Sequence, residues 1–118
     1  MSEVVDLHEK LSQFSDHWSP KVVARMNDYE VKVVKLQGEF TWHSHDDTDE
    51  LFLVLDGELE MELRDRTVTL GPGELIVVPR GMEHRPCARK GEVKMLLMDP
   101  KDMPNTGNPQ TATIAVEI

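Results

Sequence analysis

The chain has 118 residues, 39% hydrophobic and 30% charged, enough for one globular domain spanning residues 1–118 and too few for two. Thirteen basic against 22 acidic residues give a formal charge of −9, which repels phosphate backbones and anionic headgroups and argues against nucleic acid or membrane partners. No apolar run approaches the roughly 18–20 residues of a bilayer span, and the start, MSEVVDLHEK, lacks the pattern of a signal peptide.

Val4 to Phe14 predicts a short helix with Leu7, Leu11 and Phe14 on one face, ended by Ser19-Pro20, because the residue before proline is pushed out of helical geometry. From Lys21 onward the signals are those of strands: VVARM, YEVKVVKL, ELFLVL, ELEMEL, TVTL, ELIVVP, VKMLLM and TATIAV. They are separated by Asn-Asp, Gln-Gly, Asp-Gly, Gly-Pro-Gly and Lys-Gly turn signals. Close-set strands without intervening helices predict an all-β antiparallel sandwich or barrel.

Asp56-Gly57 reads as the tight turn of a hairpin. After it, Leu59, Met61 and Leu63 alternate with Glu58, Glu60 and Glu62, a strand with one wet face. Before it, Leu51 to Leu55 does not alternate, so both faces should be covered, by the N-terminal segment or by a second subunit of a homodimer. Asp99 to Gln110 reads as an extended connection, and Thr111 to Ile118 as a closing edge strand, on its own sheet or exchanged with a neighbour.

His43 and His45, one residue apart, would in a strand aim both imidazoles at the same side. Glu50 stands directly before the apolar run, where a carboxylate is costly unless something pairs with it or water reaches it. His84 follows the sharp Pro79-Arg80-Gly81 turn. Three imidazoles and one carboxylate suit Fe(II), Mn(II), Co(II), Ni(II), Cu(II) or Zn(II), and one such ion per chain would explain Glu50.

Together these residues resemble the two motifs of the cupin superfamily. The first reads Gly38-EFTW-His43-Ser-His45-DDTD-Glu50-LFLVLD-Gly57, its opening spacer one residue short. The second reads Gly73-ELIVV-Pro79-Arg-Gly81-ME-His84-RPC-Ala88, with Ala88 where the family pattern has asparagine. The resemblance covers residues 31–98 and implies a jelly-roll barrel, a double-stranded β-helix. It implies a metal held by His43, His45, Glu50 and His84, with two positions left for water, substrate or dioxygen.

Other residues have plainer expectations. Cys87, the single cysteine, permits no internal disulfide, fits a reducing cytoplasm and should face away from the metal. Trp42 alternates with His43 and should also point away. Ala88 is in phase with His84, so the pocket should be more apolar there. Phe52, Val54, Met61 and Leu63 read first as core and second as pocket lining. Arg80 and Arg85 read as surface charge, able to hold a substrate anion only if turned inward. Asp46, Asp47 and Asp49 read as solvated loop acids, with a general base or a hydrogen-bond acceptor near the metal as the alternative for one of them, and His8 and His17 lie outside the motifs.

The function expected is that of a small metal-dependent enzyme acting on a small organic molecule, of oxygenase or isomerase type. A non-catalytic small-ligand binder or sensor is the alternative. No catalytic acid or base beyond the metal ligands is identifiable.

Overall fold

The computed structural model of the protein describes residues 3–108 and 115–118. Its helix, α1 (Leu7–Leu11), is shorter than the predicted Val4–Phe14. The Asp6 side chain caps it by accepting the Glu9 N–H at 3.2 Å. At the other end the Ser12 N–H is shared between the His8 and Glu9 carbonyls, and the Ser12 hydroxyl bonds back to Glu9. The chain then leaves the helix, and the Phe14 carbonyl accepts the Lys35 ammonium at 2.6 Å instead. Leu7, Leu11 and Phe14 do pack together, against Val23 and Val33. A five-residue helix cannot stand alone, so this burial is what holds it.

The strands are β1 (Lys21–Met26), β2 (Tyr29–Glu39), β3 (Glu50–Asp56), β4 (Leu59–Leu63), β5 (Thr67–Leu70), β6 (Leu75–Val78), β7 (His84–Pro100) and β8 (Val116–Glu117). They run in the order β5-β4-β7-β2-β1-β8, with β3 joined to β7 and β6. The pairings are antiparallel except for β8, which lies parallel to β1 at Lys21 and Val22. β8 therefore closes on its own sheet, whereas the first part of the predicted Thr111–Ile118 strand lies outside the described residues.

β7 belongs to both walls of the jelly-roll barrel. His84 to Cys87 pair with β4, Lys94 to Met98 pair with β3, and β2 runs beside both halves. The Lys90-Gly91 signal therefore marks no chain reversal. Arg89 to Glu92 stand against Gln37 alone, a bulge that bends the strand from one wall to the other.

The Asp56-Gly57 hairpin is not formed. β3 pairs with β6 and β7, and β4 with β5 and β7, so Gly57 is a corner where the chain passes from one wall to the other. Its φ is +89°, and a Cβ there would lie 2.7 Å from the Glu92 carbonyl oxygen. Glycine is required by both conformation and space.

Alternation fills the barrel. Val34 and Leu36 from β2, Phe52 and Val54 from β3, Leu59, Met61 and Leu63 from β4, and Met95 and Leu97 from β7 form one core. Burying a side chain such as Met61 or Val54 contributes about 1.5–3 kcal/mol. On the outer face of β3 the predicted double cover is only partial. Leu55 packs under the N-terminal segment, while Leu51 and Leu53 remain half-buried.

Candidate metal centre

His43 and His84 are joined through their backbones, each N–H donating to the other's carbonyl, at 3.0 and 2.9 Å. The Phe40 N–H donates to the Pro86 carbonyl at 3.1 Å on the same side. His43 makes only an isolated bridge, so the His43–His45 stretch is not the regular strand predicted. Both imidazoles nonetheless turn inward, because the extended chain is pinned on either side. The His45 carbonyl accepts the Gly81 N–H at 2.8 Å, and the Asp49 carboxylate accepts the Arg80 N–H at 2.9 Å. Glu50 opens β3 on the same face as Phe52 and Val54.

The four predicted side chains come together. His43, His45, Glu50 and His84 each offer one donor atom, all within 4.8 Å of one another, and the cluster could hold a metal ion. His45 Nε2 stands 3.3 Å from Glu50 Oε1, and His84 Nε2 stands 3.6 Å from the same oxygen. Ligand atoms about 2.1 Å from one ion lie roughly 3–4.2 Å apart, so modest contraction would close the set.

The hydrogen bonds favour that reading. Nδ1 of His43 bonds the Thr41 carbonyl and Nδ1 of His84 the Met82 carbonyl, both at 2.9 Å. Each such bond makes Nδ1 the donor and leaves Nε2 with a free lone pair. Among the described residues, His45 Nδ1 and Nε2, Glu50 Oε1 and His84 Nε2 are buried with no hydrogen-bond partner. Buried polar atoms are rarely left so. A cation among them would satisfy Glu50 Oε1 and the inward imidazole nitrogens, which answers why a carboxylate heads an apolar strand.

The electrostatics agree. Burial pushes His43 down to about 4, so its imidazole is neutral at pH 7, the form that binds metals. For His45 burial pulls downward, but the adjoining Glu50 carboxylate outweighs it and raises the pKa. Burial opposes ionisation of Glu50, yet the adjoining His45 and His84 imidazoles hold it far below the ordinary carboxylate range.

One side of the cluster opens into a cleft of about 440 Å3, counting its solvent-open mouth. Its walls include His43, Glu50, Phe52, Trp18, Phe40, Pro86, Lys32 and Asp99. Trp18 and Phe40 are stacked with centroids 4.8 Å apart. Trp18, Phe40, Lys32 and Asp99 escaped the sequence reading, although two of them carried a signal. Lys32 shares a strand face with Val34 and Leu36, and Asp99 shares one with Met95 and Leu97, so a charge stands on each core face. Lys32 Nζ bonds Asp99 Oδ1 at 3.0 Å, with both side chains almost wholly buried. Burial, then repulsion from Glu50, pushes Asp99 up to about 7 despite Lys32.

The remaining expectations resolve plainly. Phe52 lines the cleft, whereas Val54, Met61, Leu63 and Ala88 belong to the core. Pro86, not Ala88, is the in-phase residue after His84 that faces the cleft. Cys87 is a free buried thiol away from the cleft, and burial raises its pKa. Trp42 points outward, 3.9 Å beneath the Arg64 guanidinium. Arg85 pairs with Glu62 at 2.7 Å, and Arg80 is exposed, so neither turns into the cleft. Asp46 and Asp47 are exposed, His8 is exposed, and His17 pairs with Glu92 at 2.8 Å.

Residues 30–99 match the model of the Cupin_2 family, the cupin domain. The chain is 36% identical over 81 residues to YdbB of Bacillus subtilis (strain 168), a match covering 68% of this chain and 66% of that protein, just under two thirds of its length. A cupin-2 domain containing protein from Shewanella frigidimarina NCIMB 400 superposes with a TM-score of 0.82 at 48% identity, covering 83% of this chain and 95% of that one. Hydroquinone 1,2-dioxygenase from Sphingomonas sp. TTNP3, solved with 4-hydroxybenzoate bound, gives 0.72 at 15% identity over 99% of this chain and 85% of that one, a likeness of fold. On its family match, and with both motifs converging at one buried centre, this chain belongs to the cupin family.

Proposed function

We propose that this protein is a metal-dependent enzyme acting on a small organic molecule, with His43, His45, Glu50 and His84 as ligands of one divalent transition metal ion. The observation that carries the reading is the buried, unpartnered donor set facing an open cleft. Such an ion supplies Lewis-acid polarisation of an oxygen ligand, or a site for dioxygen if it is redox-active. The chain's own residues do the rest. The Thr41 and Met82 carbonyls orient the His43 and His84 rings. Trp18, Phe40, Phe52 and Pro86 exclude bulk water from one side of the cleft, and Asp99 offers a carboxyl that can hold a proton beside Glu50. The cleft, about 440 Å3 with its solvent-open mouth, suits a small organic molecule.

Oxygenase and isomerase chemistry are separated by the metal. Elemental analysis of protein purified without added metal, followed by oxygen-uptake assays after loading with Fe(II), tests the choice. Uptake that disappears in His84→Ala supports the oxygenase branch. Zinc at full occupancy, with turnover independent of oxygen, supports the other. Ligand-induced stabilisation without turnover for any metal would replace the enzyme reading with that of a binder.

We further infer a homodimer in a reducing compartment, the cytoplasm. Leu75 and Val77 on β6 are 57% and 47% exposed, and lie beside half-buried Leu53 and Leu51 on β3. This uncharged apolar face suits a second copy across a two-fold axis, since a net charge of −9 repels a like chain elsewhere. Light scattering on wild type and Leu75→Glu/Val77→Glu tests it: a monomer in both would overturn the dimer.

A further inference from the structure

The polar end of the cleft has a charge arrangement that the metal ligands alone do not explain. The Lys32 side chain is 5% exposed, and its ammonium has three N–H donors. Asp99 Oδ1 accepts at 3.0 Å, whereas Glu30 Oε1 at 3.8 Å is beyond hydrogen-bond range. Glu30 is itself 3.3 Å from Arg25 Nε. Lys32 therefore keeps donor capacity at the cleft wall.

The charges can be summed. Of the charged side chains lining the cleft, Lys32 is positive and Glu50 is negative; Glu30 and the exposed Glu117 share Arg25 in a chain of ion pairs outside that lining. Asp99, which lines the cleft with Glu50, is negative or neutral. Without a metal the group carries −1 or 0, and a divalent ion makes it +1 or +2. Whichever form Asp99 takes, the loaded cleft has an excess positive charge facing walls of Trp18, Phe40 and Phe52, which offer no anion. Buried charge without a partner is costly, so the fitting ligand brings the missing one.

We propose that the cleft selects a small organic monoanion, a carboxylate or enolate with an apolar body, its charge held between the metal centre and Lys32 and its body against the aromatic wall. This rests on the metal reading above and makes Lys32 a specificity-determining residue.

The test uses the full-length protein loaded with Zn2+, with zinc binding measured separately by calorimetry. Crotonate and benzoate are titrated against crotonamide and benzamide, following the indole N–H resonance of Trp18, which is held in place by its 2.9 Å bond to the Gln37 carbonyl. The carboxylates are expected to shift that resonance and the amides not, and chelation of the zinc is expected to abolish the effect. Lys32→Met is expected to weaken carboxylate binding at least about tenfold with zinc retained. Because that variant strands Asp99, Lys32→Met/Asp99→Asn removes both charges together, with the same loss expected. Equal binding of acids and amides, or undiminished carboxylate binding in the double variant, overturns this proposal and leaves the metal reading standing. Absence of zinc binding by the wild type overturns the metal reading, and this proposal with it.

Discussion

His43 and His84 hold each other by reciprocal backbone hydrogen bonds of 3.0 and 2.9 Å, and each fixes its own ring by an Nδ1 bond to the carbonyl two residues earlier. Two distant motifs thus use one local device, and their backbone pairing sets the ring centroids 4.3 Å apart. The donor geometry is therefore built before any ion arrives, which is the preorganisation a binding site needs.

Metal binding should then stabilise the native state by mass action. At a free concentration about 1,000 times Kd the gain is about 4 kcal/mol, visible as a rise in Tm on adding Zn2+. His84→Ala and Glu50→Gln should lower zinc affinity at least about 100-fold and abolish the rise. A full thermal shift in either variant would show that the ion binds elsewhere.

The metal-free protein should lose stability on mild acidification through His43. Its native pKa is held at about 4 by burial, below the ordinary 6.5. Between those values the unfolded chain binds a proton that the native state refuses, so stability falls as pH drops through this window. From pH 7.5 to pH 5 the loss is roughly 2 kcal/mol. Urea denaturation of metal-free wild type and His43→Gln at both pH values checks this, the variant losing less by that amount.

Gly57→Ala should destabilise the fold by at least about 2 kcal/mol, since it adds strain at positive φ to a clash with rigid backbone. The Cβ would meet the Glu92 carbonyl oxygen at 2.7 Å and the Val93 Cα at 3.1 Å. A shift in the urea midpoint with unchanged slope would confirm it. A midpoint equal to wild type would show that the corner can relax.

Gly107→Ala should act locally instead. Gly107 has φ +75°, and a Cβ there would collide with the carbonyl of Ser44, the residue between His43 and His45. The segment carrying Asn105, part of the cleft wall, should swing away. Faster proteolysis near residues 103–108 with zinc stoichiometry retained is expected. Unchanged cleavage would mean that Ser44 yields.

Much of this was readable residue by residue. Strand alternation placed Leu59, Met61 and Leu63 inside, because it depends on short-range geometry, and the resemblance to the two cupin motifs marked His43, His45, Glu50 and His84 as candidate donors. The Asp56-Gly57 signal marked the end of a strand but not a reversal: β3 runs along β7 from Met98 to Lys94, and β4 continues in the same sense from Cys87 to His84. A turn signal marks where a strand breaks, whereas pairing depends on which distant strand competes for the edge, and β7 won both β3 and β4.

The amino-acid order by itself determined the element types and the inward faces, since side-chain period and turn chemistry are local properties, and its two motifs marked the candidate ligands. Only the tertiary structure decided that β7 serves both walls, that Glu30 stands opposite Asp99, and that Lys32 thereby reaches Asp99 beside Glu50. Alternation tells which side of a strand a residue occupies; strand register, settled by packing across the whole barrel, tells what it meets there.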